Sequence, residues 1–432
     1  MKRFTSSRRS TVIARVGLTA RRLLAIGVAA LVPLAAPGQA RAEGAPVERT
    51  ALTRHIAKTH PRARDPAGWA ADLLRALAEL RFAPSPDNVC ASVAIIGQES
   101  SFTASPQVPR LGEMAERKTL ARLDAWSKER LLFSVYRSLR DEFLAKVRAS
   151  RTEQDLDLAY RWLTRRLLDT PGLPFLLSTA SNGRSLPEFF ETRNEIKTLG
   201  AMQVSARFAI QAKTGKSLSE LELSDIYRVR DSLYTRSGGL YYGTMQLLGY
   251  RADYESRLSM FADYNAGRYS SRNAAIQWMA GKLTGEAVAL DGDLLAYPEG
   301  EAPRPGRTQA ILWDILGKTG RMTQAQLHAD LRLEKSLDFN RTDTFTMIRA
   351  LYQARFRQKP PYERIPEIDL RKTSIKIAKG MTTEIFARAV NRRYEACRAA
   401  LAPAPPVASA VGAPSPRDEA ASVRRRNAAA AL

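Results

Sequence analysis

The residues best suited to chemistry lie where an apolar, periodic segment stops. Gln98-Glu99-Ser100-Ser101-Phe102 follows Val89, Val93 and Ile96, which recur at helical spacing beside Cys90 and Ala94. Ser85 is placed to cap that helix, with Pro86 at its first position. Glu99 therefore falls at a helix C-terminus, where the macrodipole opposes ionisation of a carboxyl. Burial against Phe102 would push the same way. A carboxyl that keeps its proton near neutral pH is what general-acid cleavage of a glycosidic bond requires. An ordinary exposed glutamate at a helix end fits the same residues.

Two further segments carry suitable groups. Gly200-Ala201-Met202-Gln203-Val204 opens a helix after a loop. A small residue there lets backbone approach a ligand, and Gln203 offers an amide donor and acceptor. Tyr264-Asn265-Ala266-Gly267 closes a helix, with Gly267 as its stop. The Tyr264 hydroxyl could hold the Glu99 carboxyl, and Asn265 adds a second amide. Each segment alone reads as readily as packing and capping.

The elements that must position these groups are predicted to be helical. One helix runs over about Trp69 to Leu80, and Ala83-Pro84-Ser85-Pro86 separates it from the next, which ends near Glu99. Residues 115–170, rich in Leu, Arg, Glu and Ala, predict two or three amphipathic helices. Pro171, Gly172, Pro174, Asn182, Gly183 and Pro187 predict a long irregular stretch over 171–199. Helical character resumes over Leu199 to Gln211 and again over Asp231 to Leu248. Ser237, Gly238, Gly239 and Gly243 in the latter permit close helix packing. Arg257 to Ala266 and Asn273 to Lys282 add two more helices. Residues 43–66 are polar with little periodicity, 285–308 are Gly- and Pro-rich, and 309–400 form a second helical block. Few segments alternate with period two, so the fold class is mainly α.

The chain has 432 residues, with 67 Lys and Arg against 44 Asp and Glu, for a formal charge of +23. Its 44% apolar and 26% charged residues are ordinary globular composition and exclude a membrane bundle or a disordered chain. Two cysteines exclude a Cys-based zinc cage, and His55, His60 and His328 lack metal-ligand spacing, so no metal and no cofactor is expected. Cys90 and Cys397 either pair in an oxidising compartment or remain two buried thiols.

Residues 1–22 carry seven Lys or Arg and no acid, the run from Leu23 to Ala36 is apolar, and Ala40-Arg41-Ala42 reads as a cleavage site. This is the layout of a secretory signal peptide. Cleavage after Ala42 removes eight positive charges, leaving 23 − 8 = +15. The expected product is an exported, periplasmic, basic protein with no transmembrane anchor after signal removal. Its charge suits an anionic envelope polymer or lipid surface. No zinc finger, phosphate loop or aromatic-rich strand motif supports a nucleic-acid partner. The stretch from Ala402 onward, Ala/Pro/Ser-rich with Arg424-Arg425-Arg426, is expected to be disordered.

Taken together and in order, the three segments resemble the motif set of the lysozyme-like lytic transglycosylases. In that superfamily Glu-Ser-x-Phe comes first, Gly-Leu-Met-Gln second and Ala-Tyr-Asn-Ala-Gly third. Here they are Glu99-Ser100-Ser101-Phe102, Gly200-Ala201-Met202-Gln203 and Asp263-Tyr264-Asn265-Ala266-Gly267. The helix between the second and third, with Tyr241, Tyr242, Leu247 and Leu248, also looks like the family's equivalent. Ala201 stands where Leu is usual, Asp263 where Ala is usual, and residues 103–199 intervene where the family has a short loop. The whole chain, with this insertion and the Arg392-Arg393-Tyr394 segment near Cys397, resembles the uncharacterised YaiW-like family of bacterial envelope proteins. Some members of that family are lipid-anchored, but no Cys follows the apolar run here.

The resemblance implies a layout: signal peptide 1–42, an N-terminal segment 43–84, and a lysozyme-like domain 85–284 with a helical insertion at about 103–199. A linker 285–308, a C-terminal helical region 309–400 and a disordered tail 401–432 complete it. It also implies cleavage of peptidoglycan between N-acetylmuramic acid and N-acetylglucosamine. Glu99 would be the catalytic acid and base, with a 1,6-anhydro product, and Ser100, Met202, Gln203, Tyr264 and Asn265 would be substrate-binding. A hydrolytic variant would need another carboxylate; Glu188, Glu191 and Glu195 are candidates, although they also read as a solvated loop. The alternative is a non-catalytic envelope factor that keeps the cleft to bind glycan, peptide or a membrane or protein partner.

Overall fold

The computed structural model describes residues 45–126, 133–181, 183–298, 302–370 and 381–402. The expected signal segment, 1–42, lies outside the described residues, as does the expected tail, 401–432, beyond residue 402; Leu401 itself is helical. The fold is mainly helical. It begins with α1 (Arg49–Thr59), α2 (Pro66–Glu79) and α3 (Pro86–Glu99). Next come α4 (Leu111–Trp126), α5 (Phe133–Ala149), α6 (Glu153–Leu168), α7 (Leu173–Ala180) and α8 (Leu186–Arg193). A small antiparallel hairpin, β1 (Thr198–Leu199) and β2 (Val204–Ser205), pairs Leu199 with Val204 and leads into α9 (Ala206–Thr214). Then follow α10 (Leu223–Leu233), α11 (Arg236–Leu248), α12 (Arg257–Ala266) and α13 (Ser270–Thr284). The last four are α14 (Arg307–Leu316), α15 (Gln324–Leu331), α16 (Asp343–Phe356) and α17 (Thr383–Leu401).

Several boundaries follow directly from the sequence. The Ser85 side chain accepts from the Asn88 amide and starts α3, and Glu99 is its last residue. Elsewhere the structure differs from the sequence reading. The 171–199 stretch contains α7 and α8, because Pro174 and Pro187 sit in first turns, where a missing N–H costs nothing. Residues 43–66 contain α1, which buries Leu52 and Ile56 one turn apart. The segment predicted as one helix from Leu199 is a hairpin, and the helix starts only at Ala206. The Asp231 to Leu248 helix is two helices, because the Thr235 side chain caps a fresh start for α11 by accepting from the Gly238 amide.

The core has two parts. In the first, α3 is buried along its length, from Pro86 to Gly97 save Asp87 and Asn88. The C-terminal helix α17 returns to cover it with Phe386, Ala387, Val390, Tyr394 and Cys397. Cys90 and Cys397 are disulfide-bonded, so the pairing alternative is the one observed. The second part joins α13 to α14, α15 and α16 through Ile276, Met279, Leu312, Leu331, Phe339 and Ile348. Residues 309–400 are thus divided: α14 to α16 build the second core, and α17 completes the first.

Between the two cores stands Asp263, 2% exposed. Its Oδ1 accepts from the Ser271 amide (2.7 Å). Its Oδ2 accepts from the Tyr269 amide (2.8 Å) and from the Tyr254 and Tyr250 hydroxyls (2.7 and 3.2 Å). Asp263 therefore caps α13 from the preceding helix and holds Tyr269 in a left-handed conformation (φ +64°). Burial pushes its carboxyl up to about 6, against the opposing pull of those hydrogen bonds.

Two outcomes are expected. Replacing Cys90 and Cys397 by serine lowers stability by about 2–5 kcal/mol, read as an earlier denaturation midpoint; an unchanged midpoint contradicts the tie between α3 and α17. Asp263→Asn leaves a backbone donor facing an amide nitrogen and costs about 1–3 kcal/mol. Because the Asp263 pKa is raised on folding, its proton-linked stabilisation is full below about pH 4 and is lost as pH rises through about 6. The wild-type advantage over Asp263→Asn should shrink over that interval in urea titrations; a constant difference would contradict the assignment.

Candidate active site

The first motif ends α3. Glu99 is partly exposed, and Ser100 behind it is buried, its hydroxyl donating to the Ile96 carbonyl (3.2 Å). Ser100 thus closes the last turn of the helix that carries Glu99. Ser101 and Phe102 both take left-handed backbone conformations (φ +50° and +62°). Such conformations cost a non-glycine residue about 1–3 kcal/mol each and persist where the surroundings impose them. Phe102, 2% exposed, supplies that constraint by packing edge-on against Trp69 and against the His60 ring.

The second motif is the turn of the β1–β2 hairpin. Gly200 (φ +73°) lies so close to the Leu233 carbonyl that a Cβ would fall 2.0 Å from its oxygen. Gly243 of α11 makes room for the Met202 side chain in the same way. The predicted close packing of the small residues on α11 is therefore directed at this motif. Met202 is fully buried, and Gln203 is partly exposed at φ +52°.

The third motif ends α12 and reaches the other two. Tyr264 is buried, and its hydroxyl donates to the Met202 carbonyl (2.7 Å). Burial raises its pKa well above the usual phenol value, and the nearby Glu99 charge adds to that rise. Tyr264 thus senses the first motif while its hydroxyl is bonded to the second. Gln246 of α11 braces the same contact: its Oε1 accepts from the Ser205 amide (3.2 Å) and its Nε2 donates to the Tyr264 carbonyl (3.4 Å). Asn265 is exposed beside it.

One group at this junction comes from residues 103–199, and its pairing has no signal in the local sequence. Glu153, the first residue of α6, is 4% exposed and accepts from Gln203 Nε2 through both oxygens (3.1 and 3.0 Å). The Thr152–Asp155 capping box that starts α6 is a readable signal, but no local pattern reveals a partner fifty residues away.

The acidic candidates before the second motif are not a solvated loop. Glu191 is buried and pairs with Arg230 (2.7 Å), which is itself fully buried and also binds Asp157. Burial raises the Glu191 pKa. Burial opposes ionisation of Asp157 too, but the Arg230 and Arg161 charges hold its carboxyl below the usual range. Glu195 pairs with Lys118 (2.8 Å), its side chain 5% exposed. Glu188 begins α8, its amide bonded to the Ser185 hydroxyl. Glu191 and Glu195 thus tie neighbouring helices together, whereas Glu188 contributes its backbone amide. Among the described residues no His, Cys, Asp or Glu cluster is arranged to hold a metal, and no helix is long and apolar enough to cross a membrane.

Residues 62–400 match the model of a family described as a protein of unknown function, DUF1615. The chain belongs to that family. It is similar to the uncharacterised protein YaiW of Escherichia coli K12, 30% identical over 338 residues, covering 77% of this chain and 85% of the relative. No solved structure matches it. The family match takes in all three motifs, residues 103–199 and nearly all of α17.

Tyr264→Phe is expected to leave the Met202 carbonyl without its donor and to lower stability by about 1–3 kcal/mol. Differential scanning calorimetry reads this as a depressed midpoint. A midpoint equal to that of the wild type would remove the hydroxyl bridge from the account of the site.

Proposed function

We propose that this protein is a periplasmic enzyme with a lysozyme-like cleft that cleaves the bond between N-acetylmuramic acid and N-acetylglucosamine in peptidoglycan. One observation carries the reading. Glu99, Met202 and Tyr264, at least 62 positions apart in the chain, come together where Tyr264 lies within the field of Glu99 and bonds the Met202 carbonyl. Their convergence supports the resemblance.

In this mechanism the Glu99 carboxyl donates its proton to the glycosidic oxygen as the bond from muramyl C1 breaks. The substrate's own N-acetyl oxygen stabilises the positive charge developing at C1. The Glu99 carboxylate then takes the proton of the muramyl 6-hydroxyl, whose oxygen closes on C1 to give the 1,6-anhydro ring. Glu99 ends protonated, ready for another cycle. No second carboxylate is needed, unlike the common two-carboxylate scheme. Glu191 and Glu195, two of the candidates for a second carboxylate, are engaged in ion pairs.

Supporting features lie around the site. The Cys90–Cys397 disulfide suits an oxidising compartment outside the cytoplasm. The excess of basic residues suits a polyanionic wall polymer bearing muramyl and peptide carboxylates. Asp263, where the resembled motif has Ala, is turned to capping α13.

The test is digestion of purified sacculi, with the released muropeptides weighed by mass spectrometry. Wild type should release anhydro-muropeptides, and Glu99→Gln should lower the rate by at least about 10²-fold while keeping its fold. Reducing muramic acid ends would indicate hydrolysis instead. If neither protein digests sacculi but both bind them, the chain is a glycan-binding envelope factor and the enzyme reading fails.

A further inference from the structure

We propose that the insertion is a working part of the cleft, with Glu153 as the positioning residue that fixes the second motif through the Gln203 amide. This rests on the three-motif cleft described above, but its first readout needs no turnover.

The bonding around Gln203 sets the orientation of its side chain. Nε2 donates to both Glu153 oxygens and to the Gly200 carbonyl (3.2 Å), while Oε1 accepts from the Thr198 hydroxyl (2.9 Å). A carboxylate and a carbonyl only accept, so the amide nitrogen must face them and the oxygen must face the hydroxyl. The side chain that the sequence reading assigns to substrate is therefore engaged within the protein, where it holds the turn. Gln203 lies in a left-handed conformation between fully buried Met202 and Val204. A charge-assisted bond to a buried carboxylate is strong enough to hold such a backbone.

Glu153 is in turn well fixed. It occupies the first turn of α6, where the macrodipole favours a carboxylate. The residues just before it, Arg151 and Thr152, are bonded to the segment that leaves the first motif. The Val108 amide donates to the Arg151 carbonyl (3.0 Å), and Gln107 bridges Thr152. The start of α6 is thus braced on the chain after Glu99 and Phe102 while it grips the turn that carries Met202. One helix terminus, supplied by the insertion, spaces the first two motifs. The Met202 carbonyl that this turn presents is the one Tyr264 binds beside Glu99.

The experiment uses the full chain with Glu153→Gln, which keeps shape and removes charge, and Glu153→Asp, which keeps charge and shortens the reach. Hydrogen exchange of the Glu153→Gln protein should be at least about tenfold faster at Met202, Gln203 and Val204, with α13 to α16 unchanged. On sacculi its kcat should fall about tenfold or more with KM within about twofold, because misplacement rather than lost binding is the defect. Glu153→Asp should lie between it and wild type. Unchanged exchange at the turn overturns the proposal, as does a uniform loss of protection across the chain or an unchanged kcat in an active wild type. If wild type releases no muropeptide of either kind, the cleavage reading fails, and the exchange result alone decides whether Glu153 positions the turn.

Discussion

The burial of α3 is the constraint on which everything else depends. A helix covered on all sides cannot shift or rotate without opening the core, so its last residue is fixed by packing. Glu99 is that residue. Its neighbours turn sharply away through two left-handed residues, pinned by Phe102 against Trp69 and His60. The local strain is sustained by apolar burial further back, and the carboxyl is left at the edge of the core rather than in it.

The other two motifs approach this edge as backbone as much as side chains. The Tyr264 hydroxyl meets a main-chain carbonyl, and the Gly200 and Gly243 positions allow main chain and thioether to close in. The most buried polar groups nearby serve geometry. Asp263 caps a helix that begins in an otherwise uncapped turn, and Arg230 draws Asp157, Glu191 and the Ile196 carbonyl onto one guanidinium. Fully bonded networks of this kind specify one arrangement of helices, because any shift leaves a buried polar atom unmet.

Much of this was legible in the sequence where local chemistry decides it. The bounds of α12, the Ser85 cap and the end of α3 at Glu99 follow from short-range patterns. The small residues of α11 predicted close contact, though not with which partner. What failed has a physical reason in each case. Pro174 and Pro187 read as breakers but act as helix starters, since proline is tolerated in a first turn. The two-residue strands are too short to show alternation, so the second motif read as a helix start. Glu153 and Gln203 meet across fifty residues, and Glu191 and Glu195 are buried by partners that lie on other elements. Such pairings depend on tertiary approach, which no local window carries.

The covering of α3 by α17 orders the life of the chain in time. A central helix made near residue 90 is walled in by one that ends at residue 401 and is fastened to it through Cys397. During synthesis the helix that bears Glu99 therefore waits, incompletely clothed, until almost the whole polypeptide has been delivered. A chain cut short between α12 and α17 carries all three motifs and yet lacks the outer wall of its own core.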